Sequence, residues 1–170
     1  MKALNKLALA LLTGGLAMCG GIAVAGTATG NLSTTASITA SCTVGNIGTL
    51  AFGSYDPITN SASAAQANFD VTCTSGTAVT VGLSAGSNPG TAGDTTTREL
   101  ASGSNKLAYD LFSDSGHTTH WGNTVGTDTF SLGNGTGVAQ TYTVYGLVAA
   151  GQNTVPTGSY TDTITITANF

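Results

Sequence analysis

The chain has 170 residues, of which four are basic and eight acidic, a formal net charge of −4. Its length suits one domain of ordinary size. So few lysines and arginines leave no electrostatic footprint for nucleic acid or anionic lipid. Low charge with abundant Thr, Ser, Gly and Ala points to strands and turns rather than helices. It also suits a surface that packs against copies of itself, because little charge must be desolvated.

Residues 1–25 read as a secretory signal that is removed. Met1 to Lys6 is a short basic leader, Leu7 to Leu12 opens an apolar core, and Ala23-Val24-Ala25 supplies small residues where a signal peptidase reads. The apolar run is short and glycine-interrupted, and no second one follows, so no stable membrane insertion is expected. Cleavage after Ala25 leaves Arg98 and Lys106 against eight acids, a net charge of −6. A lipoprotein reading of Leu16-Ala17-Met18-Cys19 is disfavoured by the bulk of Met18 and by the apolar sequence beyond Cys19. Beyond the signal only Cys42 and Cys73 remain, and an even pair in an oxidising compartment makes a disulfide the default.

Residues 26–40 are expected to form an N-terminal extension and residues 41–170 the domain proper. From Ala28 to Cys42 the even positions are small or apolar apart from Thr34, and include Gly30, Leu32, Ala36 and Ile38. The odd positions are all hydroxyl or amide residues, so one strand with a single apolar face is expected over the whole run. Two readings fit: a first strand packed in its own sandwich, or a strand too long for its domain whose first half pairs with another molecule. Further strands are expected at Thr49–Phe52, Ala67–Thr74, Ala78–Ser84, Leu107–Phe112, Thr127–Leu132 and Gln140–Val148. A last strand is expected over Tyr160–Phe170, with Tyr160, Ile164, Ile166, Ala168 and Phe170 on one face and Asp162 as the polar exception there. It is expected to run to the final residue. Turn chemistry at Asp56-Pro57, Asn88-Pro89-Gly90, Asp114-Ser115-Gly116, Asn134-Gly135 and Pro156-Thr157-Gly158 separates these runs. Gly86–Gly93 reads as a flexible loop. Several short strands so punctuated argue for an all-β, immunoglobulin-type sandwich.

No constellation of catalytic residues emerges, and the chain reads as non-enzymatic, without cofactor or metal. His117 and His120 have an H-x-x-H spacing but no further ligands, and read as two exposed loop histidines. No serine sits in a Gly-x-Ser-x-Gly elbow, and the scattered acids, such as Asp110 and Asp114, read as turn residues rather than a glycosidase pair. Gly133-Asn134-Gly135-Thr136-Gly137 lacks a lysine and a following helix, and reads as a hairpin turn rather than a phosphate loop. Trp121, the single tryptophan, reads as a core or loop anchor rather than a carbohydrate platform.

Several segments in order resemble one family. They are Thr29-Gly30-Asn31-Leu32-Ser33 through Cys42-Thr43-Val44, then Leu50-Ala51-Phe52-Gly53-Ser54-Tyr55 and Val71-Thr72-Cys73. Leu107 to Asp114 with Trp121-Gly122 follows, then Tyr145-Gly146, Gly151-Gln152 and Val155 to Thr163. This set resembles the spore coat protein U family, which includes subunits of archaic chaperone–usher pili such as Csu pili. Leu147-Val148-Ala149-Ala150 departs from it, standing where many members have a basic residue and a proline, and Thr118-Thr119-His120 is unusually polar.

The resemblance implies a sandwich lacking its last strand, completed by a strand donated from a neighbouring subunit. It maps the donated strand onto about Ala28–Ile38, with Leu32, Thr34, Ala36 and Ile38 pointing inward and Gly30 at the outer end. It maps the acceptor groove and chaperone edge onto Tyr160, Ile164, Ile166 and Phe170. The implied partners are copies of the chain or sibling pilins, a periplasmic chaperone and an outer-membrane usher. The implied route leads through the periplasm to a pilus at the cell surface, serving adhesion and biofilm formation. The donor-like start argues against a two-domain tip adhesin. The alternative is a secreted non-fibrous coat protein or a carbohydrate- or surface-binding domain.

Overall fold

Alternating segments become strands where a neighbour is available to complete their hydrogen bonds. The computed structural model describes residues 25–170, so the signal expected over residues 1–25 lies, apart from Ala25, outside the described residues. Ser37–Phe170 forms one compact unit, and the residues up to Ala36 belong to another.

Within that compact unit β1 (Cys42–Gly45), β2 (Ser63–Cys73), β8 (Gln140–Val148) and β6 (Asp110–Phe112) form a four-stranded antiparallel sheet in the order β1-β2-β8-β6. A three-stranded sheet has the order β7-β3-β9, from β7 (Phe130–Asn134), β3 (Ala78–Leu83) and β9 (Ile166–Asn169). A separate hairpin pairs β4 (Glu99–Ser102) with β5 (Asn105–Ala108). No helix among the described residues is long and apolar enough to cross a membrane.

The first sheet has the A-B-E-D order of an immunoglobulin sandwich, and β9 stands where strand F would lie. Tyr160 supports this assignment. Its hydroxyl donates to the Pro156 carbonyl at 2.8 Å just upstream, at the corner leading into β9, as in a tyrosine corner. Among the described residues no strand pairs with the outer edge of β9, where strand G would lie.

The core sits between the sheets. Phe69, Val71 and Cys73 of β2 meet Val79, Val81 and Leu83 of β3, with Val144 and Val148 of β8. Trp121 is 1 % exposed, packs against Phe69 and Phe130, and donates its indole N–H to the Val81 carbonyl at 2.7 Å. It is therefore the core anchor expected.

Cys42 and Cys73 face each other across the β1–β2 ladder and form a disulfide. It closes a loop of 31 residues, which the chain-entropy model values at about 3–4 kcal/mol. Replacing both cysteines by alanine should lower the free energy of unfolding by about that amount, measured by urea denaturation, and reductant should then have no further effect.

Several expectations need correction. The long first strand joins a ladder only at Cys42, and residues 25–41 pair with no strand. Thr49–Phe52 forms no strand. Gly48 N–H donates to Asn68 O at 2.8 Å, but Leu50 and Phe52 are held by packing against Gly146, not by a ladder. A Cβ on Gly146 would lie 2.6 Å from Leu50 Cδ2, which gives the glycine in Tyr145-Gly146 its reason.

Leu107–Phe112 is two strands, β5 and β6, belonging to different sheets. Tyr109 turns between them, its N–H donating to Arg98 O at 3.0 Å. Thr127–Leu132 moves to β7, and Tyr160–Phe170 contributes a ladder only over Ile166–Asn169, with one bridge from Thr161 to Ala101.

Gly133–Gly137 is not a hairpin turn, because it carries the chain from β7 in one sheet to β8 in the other. Gly135 sits tightly there, a Cβ meeting Thr74 O at 2.6 Å. Gly86–Gly93 is tied down rather than free, with Ser87 N–H on Asp162 Oδ1 at 2.8 Å and Gly90 N–H on Thr97 O at 2.7 Å.

Candidate acceptor cleft

Among the described residues β9 has no strand on its outer edge, and the sandwich is open along that side. A cleft of about 300 Å³ lies there between the sheets. One wall is Ile47 to Leu50 with Phe52, the other Asp162 to Ile164 with Ile166, and the floor includes Phe69, Leu83, Leu111 and Val144. Both strands nearest the opening, β1 and β9, have an outer edge without a partner among the described residues. Such edges are unpaired donors and acceptors beside apolar surface, a combination proteins normally cover.

The alternation over 160–168 is present but incompletely buried. Asp162, Ile164, Ile166 and Ala168 are each half-buried, and the threonines between them are exposed. Ile164 and Ile166 therefore line the cleft. Tyr160 packs against the edge of the core, and Phe170 is 61 % exposed and lines a separate depression with Val79 and Val125. The structure thus brings Ile164 and Ile166 together in the cleft, with Tyr160 and Phe170 outside its lining.

Asp162 is the polar exception on this wall. Its Oδ1 accepts from Ser87 N–H at 2.8 Å and from the Asn88 side-chain amide at 3.3 Å, and its Oδ2 accepts from the Tyr109 hydroxyl at 2.7 Å. Burial, reinforced by the Asp162 bond, pushes the Tyr109 phenol far above its ordinary value of 10. The folded protein therefore holds this proton where the unfolded chain releases it. The contribution is fully present below pH 10 and is lost as pH rises beyond it. Unfolding free energy should fall above pH 10 by up to about 1.4 kcal/mol per pH unit from this group. Tyr109→Phe should flatten that slope, as measured by urea midpoints between pH 9 and pH 11.

Tyr55 and Gln152 explain two further motifs. The Tyr55 hydroxyl donates to Ala149 O at 3.2 Å, and the Gln152 side chain spans both the N–H and the carbonyl of Ala108 at 2.7 and 2.8 Å. Both pin the loop after β8 to the rest of the sandwich.

A second polar group escaped the sequence reading. Arg98 is fully buried. Its Nη2 donates to the carbonyls of Leu83 and Trp121 at 2.8 Å each, its Nε to Ser84 O at 2.9 Å, and its Nη1 to Asp110 Oδ1 at 3.3 Å. His120 extends this group, with Nδ1 2.9 Å from Asp110 Oδ1 and Nε2 3.0 Å from Thr95 Oγ1. His120 is thus a bonded, half-buried residue, and His117 packs edge-on to Phe112, so neither is the exposed loop histidine expected. Among the described residues no three ligand-type side chains converge as a metal site would require. Arg98 and Lys106 are the only basic residues after residue 25, and that scarcity was the available signal.

The four inward residues expected in the donor segment, and Gly30 at its outer end, lie in ladder-free chain. Gly30, Thr34 and Ala36 are exposed, and Leu32 and Ile38 are each 89 % exposed. Two large aliphatic side chains on one face of an otherwise polar segment are left to water.

The Spore Coat Protein U domain matches residues 28–167 of the chain. "Protein U" of Myxococcus xanthus is 38 % identical over 161 residues, covering 87 % of this chain and 88 % of that protein. In fold the chain is similar to one in the crystal structure of the CsuC–CsuE chaperone–tip adhesion subunit pre-assembly complex from archaic chaperone–usher Csu pili of Acinetobacter baumannii. That likeness has a TM-score of 0.52 and 21 % identity over 78 % of this chain, which spans 40 % of the other's length. With one domain matched over nearly all of the described residues and a relative of this identity along almost its full length, the chain belongs to the spore coat protein U domain family.

Proposed function

We propose that the chain is a structural subunit of a surface fibre, assembled by the chaperone–usher route through donor-strand complementation. In this reading Ala28–Ile38 of one copy, or of a sibling subunit, enters the open cleft of the next and takes the vacant place beside β9. Residues 26–40 act as the donor and residues 41–170 as the acceptor domain. Leu32, Thr34, Ala36 and Ile38 face inward, with Gly30 at the outer end, and Ile164 and Ile166 receive them. Tyr160 and Phe170 border the same edge at its two ends.

The observation that carries the reading is complementarity. One chain has both an apolar cleft with unpaired edges and an exposed, ladder-free segment with a single apolar face. The similarity in fold to a chain from a chaperone–subunit complex adds support for a periplasmic chaperone that covers the cleft before assembly. An outer-membrane usher, removal of residues 1–25 on export, a place at the cell surface, and roles in adhesion and biofilm formation complete the proposal.

The test compares Gly26–Phe170 with a version lacking Gly26–Ser37, each expressed with a cognate periplasmic chaperone. Fibres by electron microscopy and ladders on unheated SDS gels are expected from the first only. A stable monomer from both versions would replace the fibre reading with a self-contained coat or binding domain. That second reading is favoured by one observation, the 38 % identity to "Protein U" over 88 % of its length.

A further inference from the structure

Alternation alone cannot fix the register of such a donor strand. A slip of one residue is barred, because it turns Ser33, Thr35 and Ser37 into the cleft. A slip of two is not. It merely exchanges Leu32, Thr34 and Ala36 among inward positions, all small enough to enter an open cleft.

Both sides carry one polar residue that would break this degeneracy. On the donor face Thr34 is the single side chain able to hydrogen-bond, flanked by Leu32 and Ala36. On the acceptor wall Asp162 is the single polar residue of the half-buried set that continues through Ile164, Ile166 and Ala168. The other polar residues at the cleft are otherwise placed. Thr49 and Thr163 are exposed, and the Asn68 side-chain oxygen already accepts from Thr143 Oγ1 at 2.8 Å.

Asp162 is held for the task from three sides, by Ser87, Asn88 and Tyr109. Its Oδ2 accepts only the Tyr109 hydroxyl, whereas a carboxylate oxygen has two acceptor sites.

We propose that Asp162 is the register-setting residue of the cleft, accepting a hydrogen bond from the Thr34 hydroxyl of a second copy. The inference rests on the donor-strand reading. In the correct register the carboxylate gains a donor as water leaves. In either two-residue slip it faces Leu32 or Ala36, so the second acceptor site of Oδ2 loses its water and gains no donor, which is costly for a charged group. The argument holds for either direction of the incoming strand, because each side has one polar position.

The test uses polymers of the full chain and measures the rate at which their SDS-resistant ladders dissociate on dilution into excess arm-free subunit. Thr34→Val keeps the shape and removes the hydroxyl, and it lies outside the compact unit, so folding is not at stake. It should speed dissociation about tenfold, as expected for loss of a hydrogen bond to a charged group. Thr34→Ser should restore the slow rate. In an Asp162→Ala background Thr34→Val should add less than about twofold. Because Asp162→Ala also frees Ser87 and Tyr109, its near-ultraviolet circular dichroism is compared with that of the parent. If it fails to fold, Thr34→Val against Thr34→Ser decides alone. Wild-type dissociation rates for Thr34→Val, alongside faster dissociation for Leu32→Ala, which removes buried aliphatic surface, would overturn the anchor and leave the donor-strand reading intact. Absence of any ladder from the parent chain would remove that reading and the anchor with it.

Discussion

Deleting Gly26–Ser37 is expected to abolish fibres completely while leaving a folded monomer. The two halves of that expectation have separate causes. Folding survives because residues 25–41 pair with no strand, and because the core, the disulfide and the nine strands among the described residues lie beyond the deletion. Assembly fails because the deletion takes Leu32 and leaves Ile38 at a frayed end. Burial of the two aliphatic side chains is worth about 3–6 kcal/mol together, or roughly a hundredfold or more in affinity. Loss of the paired backbone on an open edge adds to this.

The deleted subunit keeps its cleft, so it can still accept a strand that it cannot repay. Mixed with full-length subunits at about one part in ten, it should terminate growing polymers. The mean length seen by electron microscopy should then fall in proportion to the amount added. A deleted version that leaves polymer length unchanged would mean the cleft does not take part.

The parts of this fold that were legible were those where side-chain pattern and ladder coincide. Gln140–Val148 was expected with the boundaries it has, and Ala78–Ser84 within one residue, because each strand is flanked by turn residues and paired along its length. Leu107, Tyr109 and Leu111 show the limit. All three are buried on one face, so the alternation runs unbroken, yet the chain changes sheets at Tyr109. Period-two patterning reports which face meets the core and is silent on which strand lies alongside.

Glu99–Ser102 was missed for a related reason. Its four residues are all half-buried, so no alternation marks them, and they pair only with β5 and, through one bridge, with Thr161. The cleft was partly legible. The alternation put Ile164 and Ile166 on one apolar face with Asp162 as its exception, and only the family resemblance placed that face at a groove. That Asp162 is held by Ser87 and Tyr109, far away in sequence, could not be read from the chain.

Arg98→Met should be the most damaging single substitution in the domain. The guanidinium ties together the end of β3, the Trp121 backbone and Asp110 at the start of β6. Its burial depresses the arginine's proton affinity, with Asp110 opposing that effect, yet a guanidinium remains charged at any physiological pH. The charge is therefore tolerated because four of the five N–H donors around it are answered. Methionine fills much of the same volume and answers none of them. Three carbonyls then lose a donor, and Asp110 is left with His120 as its remaining side-chain partner. Asp110 is a third exposed and keeps His120, so the main cost is the loss of a donor at three carbonyls, at about 1–3 kcal/mol each, or roughly 3–5 kcal/mol together. In a domain of this size that is roughly a 10–15 °C fall in melting temperature.

Arg98→Lys separates charge from geometry. A lysine keeps the charge but has three donors on one nitrogen, and cannot span carbonyls on both sides of the planar fork. It should recover less than half of the loss. Because Leu83 lies on the floor of the cleft as well as under Arg98, the methionine variant should also weaken strand acceptance before it unfolds. Calorimetry of the arm-deleted monomer isolates the first effect, since no assembly contributes to its melting temperature. A shift of less than about 3 °C for Arg98→Met would mean that water replaces the guanidinium at little cost, and that the site is ordinary packing.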